Sequence, residues 1–182
     1  NETIYDAVQR ESKAARDSAG ILDASTLGKI DIQGTDASEF LNRIYTNAWS
    51  KLAVGKCRYG LMLNEDGMVY DDGVTTRLDE NHYIMTTTTG GAANVLGKLE
   101  DYLQTEWPEL NVYLTSVTDH YATASVCGPN SKKILNKIIP DLDLSDENFP
   151  HMSFKNAKIG NIKCRIMRIS FTGEHSYEIN VQ

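Results

Sequence analysis

An α+β fold of antiparallel sheets with packed helices is what this sequence predicts. Three observations carry that reading. Segments of helical and of strand periodicity alternate in the order helix, strand, helix, three strands, helix, strands, helix, strands. The central strands are separated by short turns such as "NEDG", which join neighbours as antiparallel hairpins and argue against a parallel doubly wound sheet. The 182 residues, 41% hydrophobic and 24% charged, suffice for one sizeable domain or two small packed subdomains.

The elements follow in order. "IYDAVQRESKAARDSAG" predicts a helix whose Ile4, Val8, Ala15 and Ala19 recur near one face, with Gly20 as its C-terminal cap. "GKIDIQG" alternates Ile30 and Ile32 with polar residues and predicts a half-buried strand ending at Gly34. Thr35 or Asp36 caps the next helix, "DASEFLNRIY", whose inner stripe is Phe40, Leu41, Ile44 and Tyr45. Three antiparallel strands span Cys57 to Thr89, and Gly67 fits the left-handed position of the first hairpin loop. "GGAANVLGKLEDYLQTEW" predicts a helix with Val95, Leu99 and Leu103 inside and Pro108 just past its end. "NVYLTSVTDHYATASVCG" reads as two strands or one bent strand. "GPNSKKILNKIIP" opens a further helix with Pro129 in its first turn. "DLDLSDENFP" is an acidic loop, and the chain from Lys158 onward reads as β-hairpins.

Composition narrows the function classes. A formal net charge of −7 argues against a nucleic-acid binder, which needs a basic surface. No apolar run approaches the roughly 18 residues of a membrane span, and no signal-peptide pattern is present. Cys57, Cys127 and Cys164 are widely separated and sit in apolar or strand-like runs, which predicts buried reduced thiols and a cytoplasmic protein. The chain begins at Asn1 without methionine and stops within the alternating "YEINVQ". It is therefore expected to be a fragment of a longer protein, truncated at the C-terminus.

Candidate chemistry concentrates in two places. Asp71 and Asp72 interrupt a strand, where Asp is depleted. Neighbouring strand side chains face opposite sides, so both enter the core only if Gly73 makes a bulge, and bulges cluster near active sites. The alternative is a pair of solvated charges on an edge strand. In "FTGEHSYEI", Glu178 lies in a strand alternation, where a carboxylate either accepts two parallel hydrogen bonds from a planar N–H edge or faces solvent. "TTTTGGAAN" enters a helix, whose start either holds an anion or is simply capped by Thr88 or Thr89. His82, His120, His151 and His175 show no metal-ligand spacing and read as surface or hydrogen-bonded structural residues.

Beyond these residues the sequence carries a resemblance. "ILDASTLGKIDIQGTDASEFLNRI", "RYGLMLNEDGMVYDDGV", "ASVCGPNSKKIL" and "RISFTGEHSYEI" occur in the order seen in the folate-dependent aminomethyltransferase family, which includes the glycine-cleavage T-protein. The similarity runs over nearly all of the chain. "NHYIMTTTTGGAA" and "LQTEWPELNVY" bring it closer to one branch, the C-terminal part of the alpha subunits of heterotetrameric sarcosine oxidases. The resemblance implies that residues 1–182 are the N-terminal part of an aminomethyltransferase-like folate-binding domain. It implies tetrahydrofolate as the cofactor here, with FAD, FMN and NAD belonging to the whole assembly and lying outside this stretch. A sarcosine-derived imine or formaldehyde would be the one-carbon donor, and the other oxidase subunits would be partners.

Residue by residue, the resemblance implies that Asp71 is the functional carboxylate near the folate N10 and N5 nitrogens. It implies that Glu178 binds the pterin edge and that Tyr59 lines the pocket. Thr87 stands nearest the position where the T-protein has an asparagine. A family arginine falls beyond residue 182. The alternatives are a stand-alone glycine-cleavage-type aminomethyltransferase or folate demethylase, and a folate-binding or subunit-docking module without catalysis.

Overall fold

The computed structural model describes residues 2–182, which divide into two compact units. One is continuous, Thr26–His120; the other joins the residues up to Ser25 to Tyr121–Gln182.

The continuous unit holds a five-stranded antiparallel sheet. Its strands are β2 (Gly28–Gln33), β3 (Cys57–Leu63), β4 (Val69–Asp79), β5 (His82–Thr87) and β6 (Tyr113–Ser116), in the order β3-β4-β5-β2-β6. Two helices, α2 (Ala37–Ile44) and α3 (Ala92–Asp101), accompany it. The predicted stripe Phe40, Leu41, Ile44 and Tyr45 is buried, together with Ile30, Ile32, Met62, Tyr83, Met85, Val95 and Leu99. Alternation thus assigns one face of each strand to the core. Gly67 takes φ 82° in the β3–β4 loop, as its sequence context predicts. Asp36 stands at the N-cap of α2, but its carboxylate accepts the backbone N–H of Asn111 at 2.8 Å instead of capping the helix. The third predicted helix is shorter than its periodicity suggests. α3 ends at Asp101 and the chain widens into a π turn over Tyr102–Glu106, where Trp107 stacks on Tyr102.

The discontinuous unit holds a second five-stranded antiparallel sheet. Its strands are β1 (Gly20–Asp23), β7 (Ala122–Cys127), β8 (Ser153–Ile159), β9 (Ile162–Arg168) and β10 (Ser176–Val181), in the order β1-β7-β10-β9-β8. With it go α1 (Ile4–Asp17) and α4 (Ser131–Ile138). Its core is Val126, Leu135, Ile139, Leu144, Phe149, Cys164, Ile166, Tyr177 and Ile179.

Three local expectations are corrected here. Gly20 does not cap α1: the cap is Ser18, whose N–H reaches the Ala14 carbonyl, and Gly20 begins a strand instead. The apolar residues of α1 do not form a buried stripe, since Ile4 is 87% exposed and no residue of this helix is buried. Pro129 precedes α4 and lies outside its first turn, because Asn130 is the N-cap. The two-strand reading of residues 111–128 holds, with β6 and β7 in different sheets. Cys57, Cys127 and Cys164 are buried thiols. No helix among the described residues is long and apolar enough to cross a membrane.

Candidate functional site

The β3–β4 hairpin explains the aspartate pair. At its tip Leu63 pairs with Val69, yet the next pairing is Met62 with Asp71, so Tyr70 is an extra residue on β4. In an uninterrupted ladder Met62 would oppose Tyr70, and Asp71 would fall opposite Leu61 on the other face. The extra residue shifts the phase by one and turns Asp71 onto the buried Met62 face. The bulge is therefore at Tyr70, not at Gly73 as the sequence suggested. Gly73 pairs regularly with Gly60 and serves close approach, because a Cβ there would lie 1.9 Å from the Thr86 carbonyl oxygen.

Asp71 is 4% exposed. The Thr88 hydroxyl donates to its Oδ1 at 2.6 Å, and the Thr88 N–H approaches Oδ2 at 3.3 Å. The same hydroxyl accepts the N–H of Gly91 at 3.2 Å, directly before α3. The N-cap of α3 is Gly91 without a side-chain cap, in place of the predicted Thr88 or Thr89; Thr88 closes the turn just before the helix and also holds the carboxylate. Gly91 must lack a side chain, since its Cβ would sit 2.7 Å from Asp71 Oδ1. Burial pushes the Asp71 carboxyl up from the ordinary carboxylate range. The Thr88 hydroxyl and amide pull it down, and the Asp72 charge raises it further. Tyr45 is buried, and its hydroxyl is pushed up by burial and by the charges of Asp71 and Asp72.

Asp72 points the other way, as adjacent strand residues must. Its Oδ2 accepts the Tyr59 hydroxyl at 2.7 Å, and that bond is the main reason the Tyr59 phenol is pushed up. Tyr59 is 49% exposed and lies on the Asp72 face, so the structure does not bring it to Asp71. Thr87 is 2% exposed and shares the Asp71 face of the sheet. Its hydroxyl donates to the Thr88 carbonyl at 3.0 Å, and it packs where a Cβ on Gly28 would intrude. Glu178 belongs to the other unit. It is half-buried on β10, opposite Ser125 of β7 and Met167 of β9, and shares its face with Ser176 and Asn180. Sequence reasoning missed the anchoring role of Thr88 and the neighbourhood of Tyr45. The "TTTTGG" run marked the first only as a helix start, and the second read as an ordinary core position.

The arrangement around Asp71 offers a buried carboxylate, oriented by one threonine and raised in proton affinity. A carboxylate has about four acceptor positions, more than the Thr88 hydroxyl, the Thr88 amide and the Asp72 amide use. Such a group can take a proton from a nitrogen or stabilise positive charge developing there.

Comparison with known proteins gives the family and the fold. The model of the GCVT N-terminal domain family matches residues 1–182. The chain belongs to that family. Among curated GCVT relatives, it is 55% identical over 181 residues to the sarcosine oxidase subunit alpha of Corynebacterium sp. (strain U-96), covering 99% of this chain and 19% of that protein. It is 51% identical to the sarcosine oxidase subunit alpha of Rhizobium meliloti (strain 1021), covering 98% of this chain and 18% of that protein. It is also 32% identical to an aminomethyltransferase of Listeria monocytogenes, covering 96% of this chain and 46% of that protein. The chain thus spans about a fifth of the first relatives and about half of the last. Among solved structures, the glycine cleavage system aminomethyltransferase T of Bartonella henselae superposes with a TM-score of 0.81 at 25% identity, over 96% of this chain and 45% of that one. A chain of the heterotetrameric sarcosine oxidase of Corynebacterium sp. U-96 superposes with a TM-score of 0.62 over 99% of this chain and 86% of that one; at 14% identity this shows the fold alone. The α+β aminomethyltransferase-type fold is therefore established for this GCVT chain, and the curated relatives named are enzymes or enzyme subunits.

Proposed function

We propose that this chain is the N-terminal part of the folate-binding domain of a sarcosine oxidase alpha subunit. In this reading the domain transfers the one-carbon unit of oxidised sarcosine to tetrahydrofolate, giving 5,10-methylenetetrahydrofolate. The observation that carries it is the buried, threonine-anchored Asp71 carboxylate. Identity above 50% to sarcosine oxidase alpha subunits over the whole chain supports this branch over the stand-alone aminomethyltransferases, at about 32%. The other oxidase subunits are the expected partners. Buried thiols support a cytoplasmic location.

Tetrahydrofolate would supply the amine nucleophile, and the imine or formaldehyde carbon derived from sarcosine the electrophile. On N–C bond formation the nitrogen would gain positive charge and have to lose its proton, and closure of the methylene bridge at the second folate nitrogen would expel glycine from the imine or water from the formaldehyde adduct. Asp71 accepts that proton, a task helped by burial, which raises its affinity for it. Thr88 fixes the carboxylate so that no reorganisation is needed as charge develops. Glu178, a strand carboxylate on a face also bearing Ser176 and Asn180, suits the planar N–H edge of a pterin.

The test uses the full-length protein with its partner subunits, sarcosine and tetrahydrofolate. Asp71→Asn is expected to lower the rate of methylenetetrahydrofolate formation by about 10²–10⁴-fold, while flavin reduction by sarcosine proceeds as in the wild type. Unchanged folate product would remove Asp71 from the chemistry. A full-length protein that reduces no flavin would favour the stand-alone aminomethyltransferase reading.

A further inference from the structure

One sheet edge of the discontinuous unit carries uncompensated charge. Residues 148–173 contain Lys155, Lys158, Lys163, Arg165 and Arg168 and no acid, in a chain of net charge −7. All five lie on the hairpin β8–β9, and β8 stands at the end of its sheet. Arg168 pairs with Asp146 at 2.8 Å, and Arg165 lies against the rings of Tyr121 and Phe154. Lys155, Lys158 and Lys163 are exposed and form no ion pair among the described residues.

The strand register fixes which backbone groups are open. Gly160, at φ 59°, and Asn161 form the two-residue loop between β8 and β9. Such a loop is closed by a hydrogen-bonded pair, here Ile159 with Ile162, and these pairs alternate with non-hydrogen-bonded ones. Lys158–Lys163, Asn156–Arg165 and Phe154–Met167 are therefore of the second kind. On β8 the N–H and C=O groups of Phe154, Asn156 and Lys158 point away from β9, along an edge that pairs with no other strand among the described residues. The same register sets Lys158 directly opposite Lys163, in the pair type whose side chains stand closer, and like charges so placed are destabilising. Lysines on an edge strand deter sheets from adding to one another. That role does not account for Lys163, which lies on the inner strand.

We propose that an acidic, extended segment of a separate subunit pairs with β8 as a sixth strand, its carboxylates on the Lys158–Lys163 face. Main-chain hydrogen bonds along the edge would give affinity, and the opposed lysines the selection for acid. A second copy of this chain is the wrong occupant, because two β8 edges side by side would bring lysines together. A strand of the same polypeptide is disfavoured by the charge. Permanent interfaces are the more apolar ones, whereas complementary charge steers encounter between separate partners. The partner's being a subunit rests on the oxidase reading above; the open edge and its charge belong to this hairpin alone.

The experiment follows assembly of the full-length protein with its partner subunits by sedimentation, at low and at high salt. Lys158→Glu combined with Lys163→Glu is expected to weaken assembly by about tenfold or more at low salt, with a smaller difference at high salt. Asn156→Pro removes one outward N–H and leaves the β8–β9 ladder intact. It should weaken assembly by about tenfold with an unchanged unfolding midpoint. Lys133→Glu combined with Lys137→Glu, on α4, alters net charge equally and should leave assembly as in the wild type. Wild-type assembly in the lysine variant would overturn the charge argument, and in the proline variant the strand pairing; either result sinks the proposal. So would an equal loss in the α4 control. A wild-type protein that stays apart from those subunits would overturn the proposal together with the multi-subunit reading, while Asp71→Asn would still report on folate transfer alone.

Discussion

Asp71 owes its position to two neighbours with nothing chemical to offer on their own. Tyr70 turns it inward as the surplus residue of the ladder, and Thr88 holds it there. Replacing Thr88 by valine deletes the hydroxyl that serves both Asp71 and the Gly91 amide. Loss of a buried charge-assisted bond is expected to cost about 1–3 kcal/mol in urea unfolding. The pH dependence has a definite sign. The folded-state pKa of Asp71 is raised by burial, so the folded chain binds this proton more tightly than the unfolded one. Its contribution therefore favours folding at acid pH and is lost as pH rises from the ordinary carboxylate range through the raised value. Unfolding midpoints of the wild type should fall relative to those of Asp71→Asn across that window; parallel curves would contradict the burial argument. Glu178→Gln should weaken tetrahydrofolate binding without altering the unfolding midpoint, as measured by fluorescence titration. Both carboxylates stood out in the sequence as acids within strand runs, where acids are disfavoured, while their proposed roles rested on the family resemblance alone. The Thr88 anchor did not, since it joins residues 17 apart through a bulge that leaves no compositional mark.

At the scale of elements, glycines separate close packing from mere flexibility. Gly73→Ala would drive a methyl into the Thr86 carbonyl on the paired strand β5. Two backbones cannot both yield, and destabilisation of about 1–3 kcal/mol or more is expected. Gly97 lies inside α3 with open space at its Cβ. Gly97→Ala should instead stabilise by roughly 0.5–1 kcal/mol. Chemical denaturation of the two variants side by side measures both, and a like sign for the pair would refute the packing argument. The hairpins and the α2 stripe were readable because periodicity and turn chemistry are local. β1 was missed because "GILD" lacks the alternation that marks a strand; it is defined by pairing with β7 about a hundred residues later. The apolar residues of α1 misled for the converse reason: spacing reveals a face but not whether anything covers it.

For the molecule as a whole, each unit has its own hydrophobic core, and neither core draws on the other's strands. The segment from Thr26 to His120 contains its sheet, both its helices and all of its core. Expressed alone, it is expected to fold cooperatively with the native strand pattern, as read from amide hydrogen exchange and dispersed NMR spectra. A molten, unprotected spectrum would show that the division is only geometric. The other unit must wait for distant chain, since β1 gains its partner only when β7 is made; long-range pairing of this kind slows folding.

The junction itself has a consequence. β1 and β7 run antiparallel with Asp23 opposite Ala124, and the Thr123 N–H reaches the Ser25 hydroxyl at 3.0 Å. That ladder is the stem of an ordinary hairpin in which a complete folded body occupies the place of the bend. Splicing the chain there, with two or three residues of tight bend in exchange, would leave every strand of the remaining sheet in register. The fold thus carries a seam in its chain path, a paired stem of four residues on each strand, at which one unit is threaded into the sequence of the other.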